Sequence, residues 1–323
     1  MQSVLREDHD LPRYSLVVPI YGNESGIPAL IDAVGFIARE LDGDFEAIFV
    51  VDGSPDHSYA RLRETLPEAC FNSQLIALNR NFGAFAAIRA GLGLARGAHI
   101  AVMAADLQEP PELALTFFRE LSKGEHDVAF GVRLSRDDPW HSKIMSSLFW
   151  WTYRRLVMPD IPAGGVDIFA LQSHFRDDLL SLQESNSSLL AQLFWLGGRR
   201  LNVGYQRVKR QHGKSAWTLK KRFRYLTDSI FSFTNLPIRV MTFVGAFGMV
   251  AAAILGAITL MAKVTGTIDV PGYAGIVIAV LFFGALNSFG IGIVGTYAWR
   301  AFENTKARPL AIIQTKTFFK AKS

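Results

Sequence analysis

The chain has 323 residues, half of them apolar, a net charge of +5 at pH 7 and one cysteine, Cys70. A lone cysteine excludes a disulfide framework, and the length admits one large domain or two of ordinary size. The positive surplus gathers on either side of two long uncharged stretches, which favours anionic lipid headgroups over nucleic acid.

The opening MQSVLREDHD contains acids and no apolar run, so no cleaved signal peptide is expected. SLVVPIYG then reads as a buried strand ending in turn residues, and 27–41 has helical spacing. FEAIFVVDGS and QLIALNRN are further strands, with a helix over 85–95 behind the second. AHIAVMAAD follows with a helix over 111–121, and HDVAFGVR is a fifth strand. Strands alternating with helices imply a parallel, doubly wound α/β sheet, in which ligands bind beyond the C-terminal strand ends. Polar clusters fall there: Tyr21 to Glu24, Asp52 to Asp56, Asn79 to Asn81, Asp106 to Glu109 and Arg133 to Arg136.

The chain lacks a GxxxxGK[ST] phosphate loop, and the glycines of GLGLARG lie within or after a helix rather than between strand and helix. No Cys/His spacing suggests zinc. Asp106 and Gln108 offer oxygen donors suited to a hard divalent cation, although EPPE also reads as an ordinary helix start with proline at its first position. The stretch 144–157, rich in aromatics, is read either as an interfacial helix or as a core helix covering the sheet.

Further on, Leu219, Phe223, Leu226, Ile230 and Phe233 form one apolar stripe on a helix with basic residues elsewhere. A helix lying in the headgroup layer is the favoured reading over one packed on the soluble domain. Two spans are expected over 240–262 and 273–299, each longer than the roughly 20 residues needed to cross a bilayer. Basic residues flank the pair on its outer sides, so both chain ends are expected in the cytoplasm. Glycines at 284, 290, 292 and 295 suggest close helix packing, within the pair or between subunits.

Taken in order, VVPIYGNE, VVDGSPD, LNRNFGAFAAIRAGL, AADLQEPPE, GVRLSRDDPW, GGVDIFAL and KRQHGKSAWTL, followed by two spans, resemble glycosyltransferase family 2 and its polyisoprenyl-phosphate group. The resemblance implies a GT-A (Rossmann-like) domain over 1–213, an amphipathic juxtamembrane helix over 214–237 and a two-helix membrane region with a short basic tail over 238–323. It implies transfer of a sugar, with inversion, from a nucleotide-sugar donor such as UDP-glucose to a polyprenyl (undecaprenyl) phosphate at the cytoplasmic face of the inner membrane. By this similarity Pro19, Tyr21, Glu24, Asp52, Asn81 and Asp106 contact the nucleotide sugar, and Asp106 and Gln108 hold Mg2+ or Mn2+. Asp167 joins Asp106 as a catalytic residue beside the acceptor, and Arg133, Arg136, Arg210 and Ser215 bind phosphate or acceptor. A homotetramer is implied, with no nucleic-acid partner. Departures from the family pattern, Ala104 and Val51 for frequent acids, leave open a catalytically impaired homologue serving as a membrane scaffold. A processive polysaccharide synthase is a further alternative, although its Gln-x-x-Arg-Trp pentapeptide is missing from the chain.

Overall fold

The computed structural model describes residues 11–134, 147, 150–162, 165–184, 187–208, 219–265 and 273–322. Its strands are β1 (Tyr14–Ile20), β2 (Phe45–Val51), β3 (Asn72–Leu78), β4 (His99–Val102), β5 (Val128–Arg133), β6 (Val166–Gln172), β7 (Arg200–Tyr205) and β8 (Ile313–Phe319). The helices are α1 (Ile27–Glu40), α2 (Ser58–Thr65), α3 (Ala84–Leu92), α4 (Pro111–Ser122), α5 (Ser173–Ser181), α6 (Leu189–Leu196), α7 (Leu219–Phe233), α8 (Leu236–Val264) and α9 (Tyr273–Thr305).

All the strands join one sheet in the order β7-β5-β6-β4-β1-β2-β3-β8. Side chains alternate across it, as the strand period of two requires. Leu16, Val18 and Ile20 of β1 pack with α1, α2 and α4, while Val17 packs on the opposite face with α3, α5 and α6. Burial on both faces explains why β2 is apolar at every position but Glu46, which is buried with Arg96, Ser15 and Gln74 as its partners.

The sheet is mixed, which corrects the expectation of parallel strands throughout. β1 lies parallel to β2 and β4, β2 to β3, and β5 to β7. β6 runs antiparallel between β4 and β5. The connection after β5 brings the chain back to the edge where β5 ended, so β6 starts at that edge. Asp167, the second residue of β6, therefore shares an edge with the C-terminal ends of β4 and β5. Gly165 makes the entry turn at φ +75°, and a Cβ there would stand 2.2 Å from the Trp150 indole.

The segment after the second apolar run, expected as a basic tail, folds as edge strand β8, antiparallel to β3 from Ser73↔Phe319 to Leu78↔Ile313. The ladder is extended at both ends. The Asn79 amide donates to the Ile312 carbonyl at 3.1 Å, and the Lys322 amide to that of Ala69 at 2.9 Å. Tyr59 and Thr315 hydroxyls add a 3.1 Å contact from α2.

The C-terminal part of the α7 stripe meets protein. Leu226, Ile230 and Phe233 pack on the core beneath α3 and α6. Tyr225 stacks on Tyr153 at 5.6 Å and accepts a hydrogen bond from Ser188 Oγ at 2.8 Å. A moment at the helical period cannot say whether the apolar side meets lipid or a sheet. The helical residues 150–156 likewise pack on the core through fully buried Tyr153, while Trp151 is exposed.

Both apolar runs are helical. Among the described residues, one helical stretch, Leu236–Ile258, is long and apolar enough to cross a membrane, with mean hydropathy 2.1 and none of its apolar window buried. α9 runs beside α8, with Met241 against Gly290 and Phe283 near Gly248.

Candidate functional site

The loops after β1 and β2 are laced by carboxylates and hydroxyls that accept backbone N–H groups. The Glu24 amide donates to Asp56 Oδ2 at 2.9 Å, and the His57 amide returns a bond to Glu24 Oε2 at 3.0 Å. Ser54 Oγ accepts from the Gly22 amide at 2.8 Å. Asp52 is 2% exposed at the end of β2, and its two oxygens accept from the amides of Phe82 (2.7 Å) and Gly83 (2.8 Å), just ahead of α3. Burial pushes the Asp52 carboxyl above its ordinary pKa, against the lowering effect of these amides and Arg80. Gly53 follows at φ +55°, where a Cβ would lie 2.3 Å from the Arg80 carbonyl carbon. The effect is to fix the path of 80–83, leaving Asn81 exposed and Arg80 over the Phe82 ring at 4.0 Å. Tyr21 is exposed, and Pro19 sits in β1 opposite Val50.

Buried Asn23 joins this half of the site to the next, donating Nδ2 to the Ala105 carbonyl at 2.8 Å. The turn that follows is strained: Leu107 adopts φ +51°, a region that side-chain-bearing residues rarely enter. Asp106 Oδ1 accepts from the Gln108 amide at 3.3 Å. Residues beyond β7 close over this turn. The Val208 amide donates to the Gln108 carbonyl at 2.9 Å, and Arg207 donates to Gln108 Oε1.

Next to the turn, Arg133 from the end of β5 forks onto Asp167, with Nη2 at 2.5 Å from Oδ1 and Nε on Oδ2. Tyr205, at the end of β7, donates its hydroxyl to Asp167 Oδ2 at 2.5 Å. Burial opposes the Arg133 charge, but Asp167 outweighs it and raises the guanidinium pKa. Burial, then the Asp167 carboxylate, raise the Tyr205 phenol, which stays a donor at neutral pH. Glu109 lies between these groups, 2% exposed and with Oε2 unpartnered. Burial, followed by the charges of Asp167 and Asp106, lifts its carboxyl to about 7. Three carboxylates and two arginines thus converge at one sheet edge, an arrangement able to bind phosphates through the arginines and a cation through the acids. Among the described residues no three His, Cys, Asp or Glu side chains form a ready cage for a metal.

Residues 15–174 match the family model described as glycosyl transferase family 2. A relative named undecaprenyl-phosphate 4-deoxy-4-formamido-L-arabinose transferase, from Aeromonas hydrophila, is 30% identical over 93% of this chain and 92% of its own length. The chain belongs to glycosyltransferase family 2. The putative glycosyltransferase CsbB of Bacillus subtilis is also 30% identical, over 93% of this chain and 91% of its own. Among solved structures, the mannosyltransferase PcManGT of Pyrobaculum calidifontis, in complex with GDP-Man and Mn2+, is similar over 90% of this chain and 85% of that one, at 17% identity and TM-score 0.46.

In this glycosyltransferase the residues named from sequence fall into two groups. Tyr21, Glu24, Asp52 and Asn81 border the β1–β3 half, while Asp106, Gln108, Arg133 and Asp167 meet at the β4–β7 half. Arg136, Arg210 and Ser215 lie outside the described residues. Sequence reasoning missed Tyr205, Arg207 and the burial of Glu109. The first two stand in or just after a short strand, ahead of the KRQHGKSAWTL segment rather than within it, and Glu109 looked like part of a helix start.

Proposed function

We propose that this glycosyltransferase moves a sugar from a nucleotide donor, UDP-glucose or similar, to undecaprenyl phosphate at the cytoplasmic membrane face. The observation that carries this reading is the meeting of Asp106, Glu109, Asp167, Arg133 and Arg207 at the same sheet edge where β8 arrives from α9. The Aeromonas relative's name supplies the acceptor class. α8 supplies an apolar helix next to a domain whose acceptor would partition into the bilayer.

In this reading the β1–β3 half, with Tyr21, Glu24, Asp52 and Asn81, takes the nucleoside. Asp106 and Gln108 would hold Mg2+ or Mn2+ together with the donor's phosphate oxygens, once Arg207 leaves Gln108 Oε1 for those phosphates. The metal supplies charge neutralisation for the departing nucleoside diphosphate. Arg133 binds phosphate by its fork geometry, with Arg136, Arg210 and Ser215 from the neighbouring loops. The acceptor phosphate is already ionised near neutral pH, so no strong general base is needed, and Asp167 stabilises the positive charge developing on the sugar. In-line attack inverts the anomeric carbon. The catalytic domain over 1–213, its sheet completed by β8, would be joined by 214–237 to spans at 240–262 and 273–299, with both ends cytoplasmic and a tetramer as the assembly.

The test is a panel of labelled nucleotide sugars supplied with undecaprenyl phosphate and Mg2+ or Mn2+ to the purified full-length chain in lipid. One donor should yield a lipid-linked product. Asp106→Asn and Asp167→Asn should each lower turnover about 100-fold or more. No product from any donor would sink the acceptor assignment, and wild-type rates in both variants would move the site elsewhere.

A further inference from the structure

Asp167 has two kinds of partner, and they differ in what can displace them. The Arg133 fork fits phosphate as well as carboxylate, so a phosphate entering the site competes with Asp167 for it. The Tyr205 hydroxyl donates to Oδ2 at 2.5 Å and also lies within hydrogen-bonding reach of the Arg133 guanidinium, on a ring that is 4% exposed and belongs to the same core cluster as Leu113 and Ile168. Its backbone is fixed too, because the Tyr205 carbonyl accepts from the Leu134 amide at 2.9 Å and β7 pairs with β5 up to Arg133↔Tyr205. A phenol held this way cannot follow a departing arginine. It stays where β6 presents the carboxylate.

We propose that Tyr205 is a positioning residue of the transfer reaction, its hydroxyl holding the Asp167 carboxylate in place while Arg133 turns to phosphate. The inference rests on the reading of Asp167 as the acceptor-side carboxylate. It adds a division of labour: Arg133 is the exchangeable partner and Tyr205 the permanent one. Without the hydroxyl, Asp167 would be free to rotate at the moment Arg133 lets go. Because a hydrogen bond to a charged group is among the stronger ones, its loss should be visible in turnover.

Tyr205→Phe tests this, since it removes the oxygen and keeps the ring that packs the core. Turnover and donor KM are measured for wild type, Tyr205→Phe and Asp167→Asn, each as the full-length chain in lipid with saturating undecaprenyl phosphate. The donor is the nucleotide sugar found active in the panel. Expected is a kcat lower by about tenfold or more in Tyr205→Phe, with donor KM within about twofold of wild type and an unchanged thermal midpoint. A structural role for the ring or hydroxyl would instead move KM or the midpoint. A wild-type kcat in Tyr205→Phe beside an impaired Asp167→Asn overturns the proposal alone. A wild-type kcat in Asp167→Asn overturns the reading of Asp167 and the role of Tyr205 with it.

Discussion

On the β1–β3 side of the site, Asp52, Asp56 and Glu24 accept backbone N–H groups, whereas on the β5–β7 side Asp167 and Gln108 are held by the side chains of Arg133, Tyr205 and Arg207. A backbone donor cannot leave without the loop unfolding. A guanidinium can, because its side chain rotates and a phosphate offers it the same geometry. The first half is therefore a fixed mould and the second an exchangeable one. That division suits a donor bound in one conformation and an acceptor that must enter, react and depart.

The contrast predicts different failures in the two halves. The largest effect belongs to the exchangeable half. Arg133→Lys keeps the charge but loses the fork, and should lower turnover about 100-fold with little change in thermal midpoint. Equal losses of stability and rate would erase the distinction. Asp52→Asn is next: an amide group would face one of two donating N–H groups, costing about 2 kcal/mol and lowering the midpoint by several degrees. Donor KM should rise more than kcat falls, as read from initial rates across donor concentrations.

The effect of Glu109→Gln on stability, read in metal-free buffer, has a definite sign. Its folded pKa of about 7 lies above the ordinary 4.5, so the buried carboxyl is tolerated below pH 4.5 and destabilises as pH rises through 7. The variant should unfold like wild type at pH 4.5 and be more stable at pH 8, by up to about 3 kcal/mol. A midpoint difference independent of pH would show that the carboxyl is not desolvated.

The smallest effect lies away from the site, at the other end of β5. Arg199 hydrogen-bonds Asp127 and holds its carboxyl at about 2. The contribution is present above the ordinary value of 3.8 and lost as pH falls through 2. Because Arg199 is exposed, Asp127→Asn should cost about 1 kcal/mol or less at pH 7, as read by thermal unfolding.

How much of this was legible in the sequence depended on whether the determinant was local. The strands up to β5 announce themselves because burial on both faces forces continuous apolar runs, and Pro111 marks its helix start correctly. The direction of β6 has no such local mark, since GGVDIFAL would read the same in either orientation. β8 is harder still: IQTKTFF is half polar, and its partner is β3, with Thr315 reaching Tyr59 across 256 positions. In the site, residue type pointed to Asp106, Gln108, Arg133 and Asp167, because phosphates and cations demand charged or oxygen-bearing groups. It could not reveal that Asp52 spends its oxygens on the backbone, or that an unremarkable tyrosine would reach Asp167.

The position of β8 in the chain also sets an order of events during folding. Its hydrogen bonds to β3 can form only after α8 and α9 have been made, and closing so long a loop is entropically costly and slow. Until then β3 is an open edge, the kind of surface that invites pairing with other chains. Completion of the sheet beside Asn79 thus waits on synthesis of the helix pair, and a chain stalled before α9 would carry its sheet unfinished.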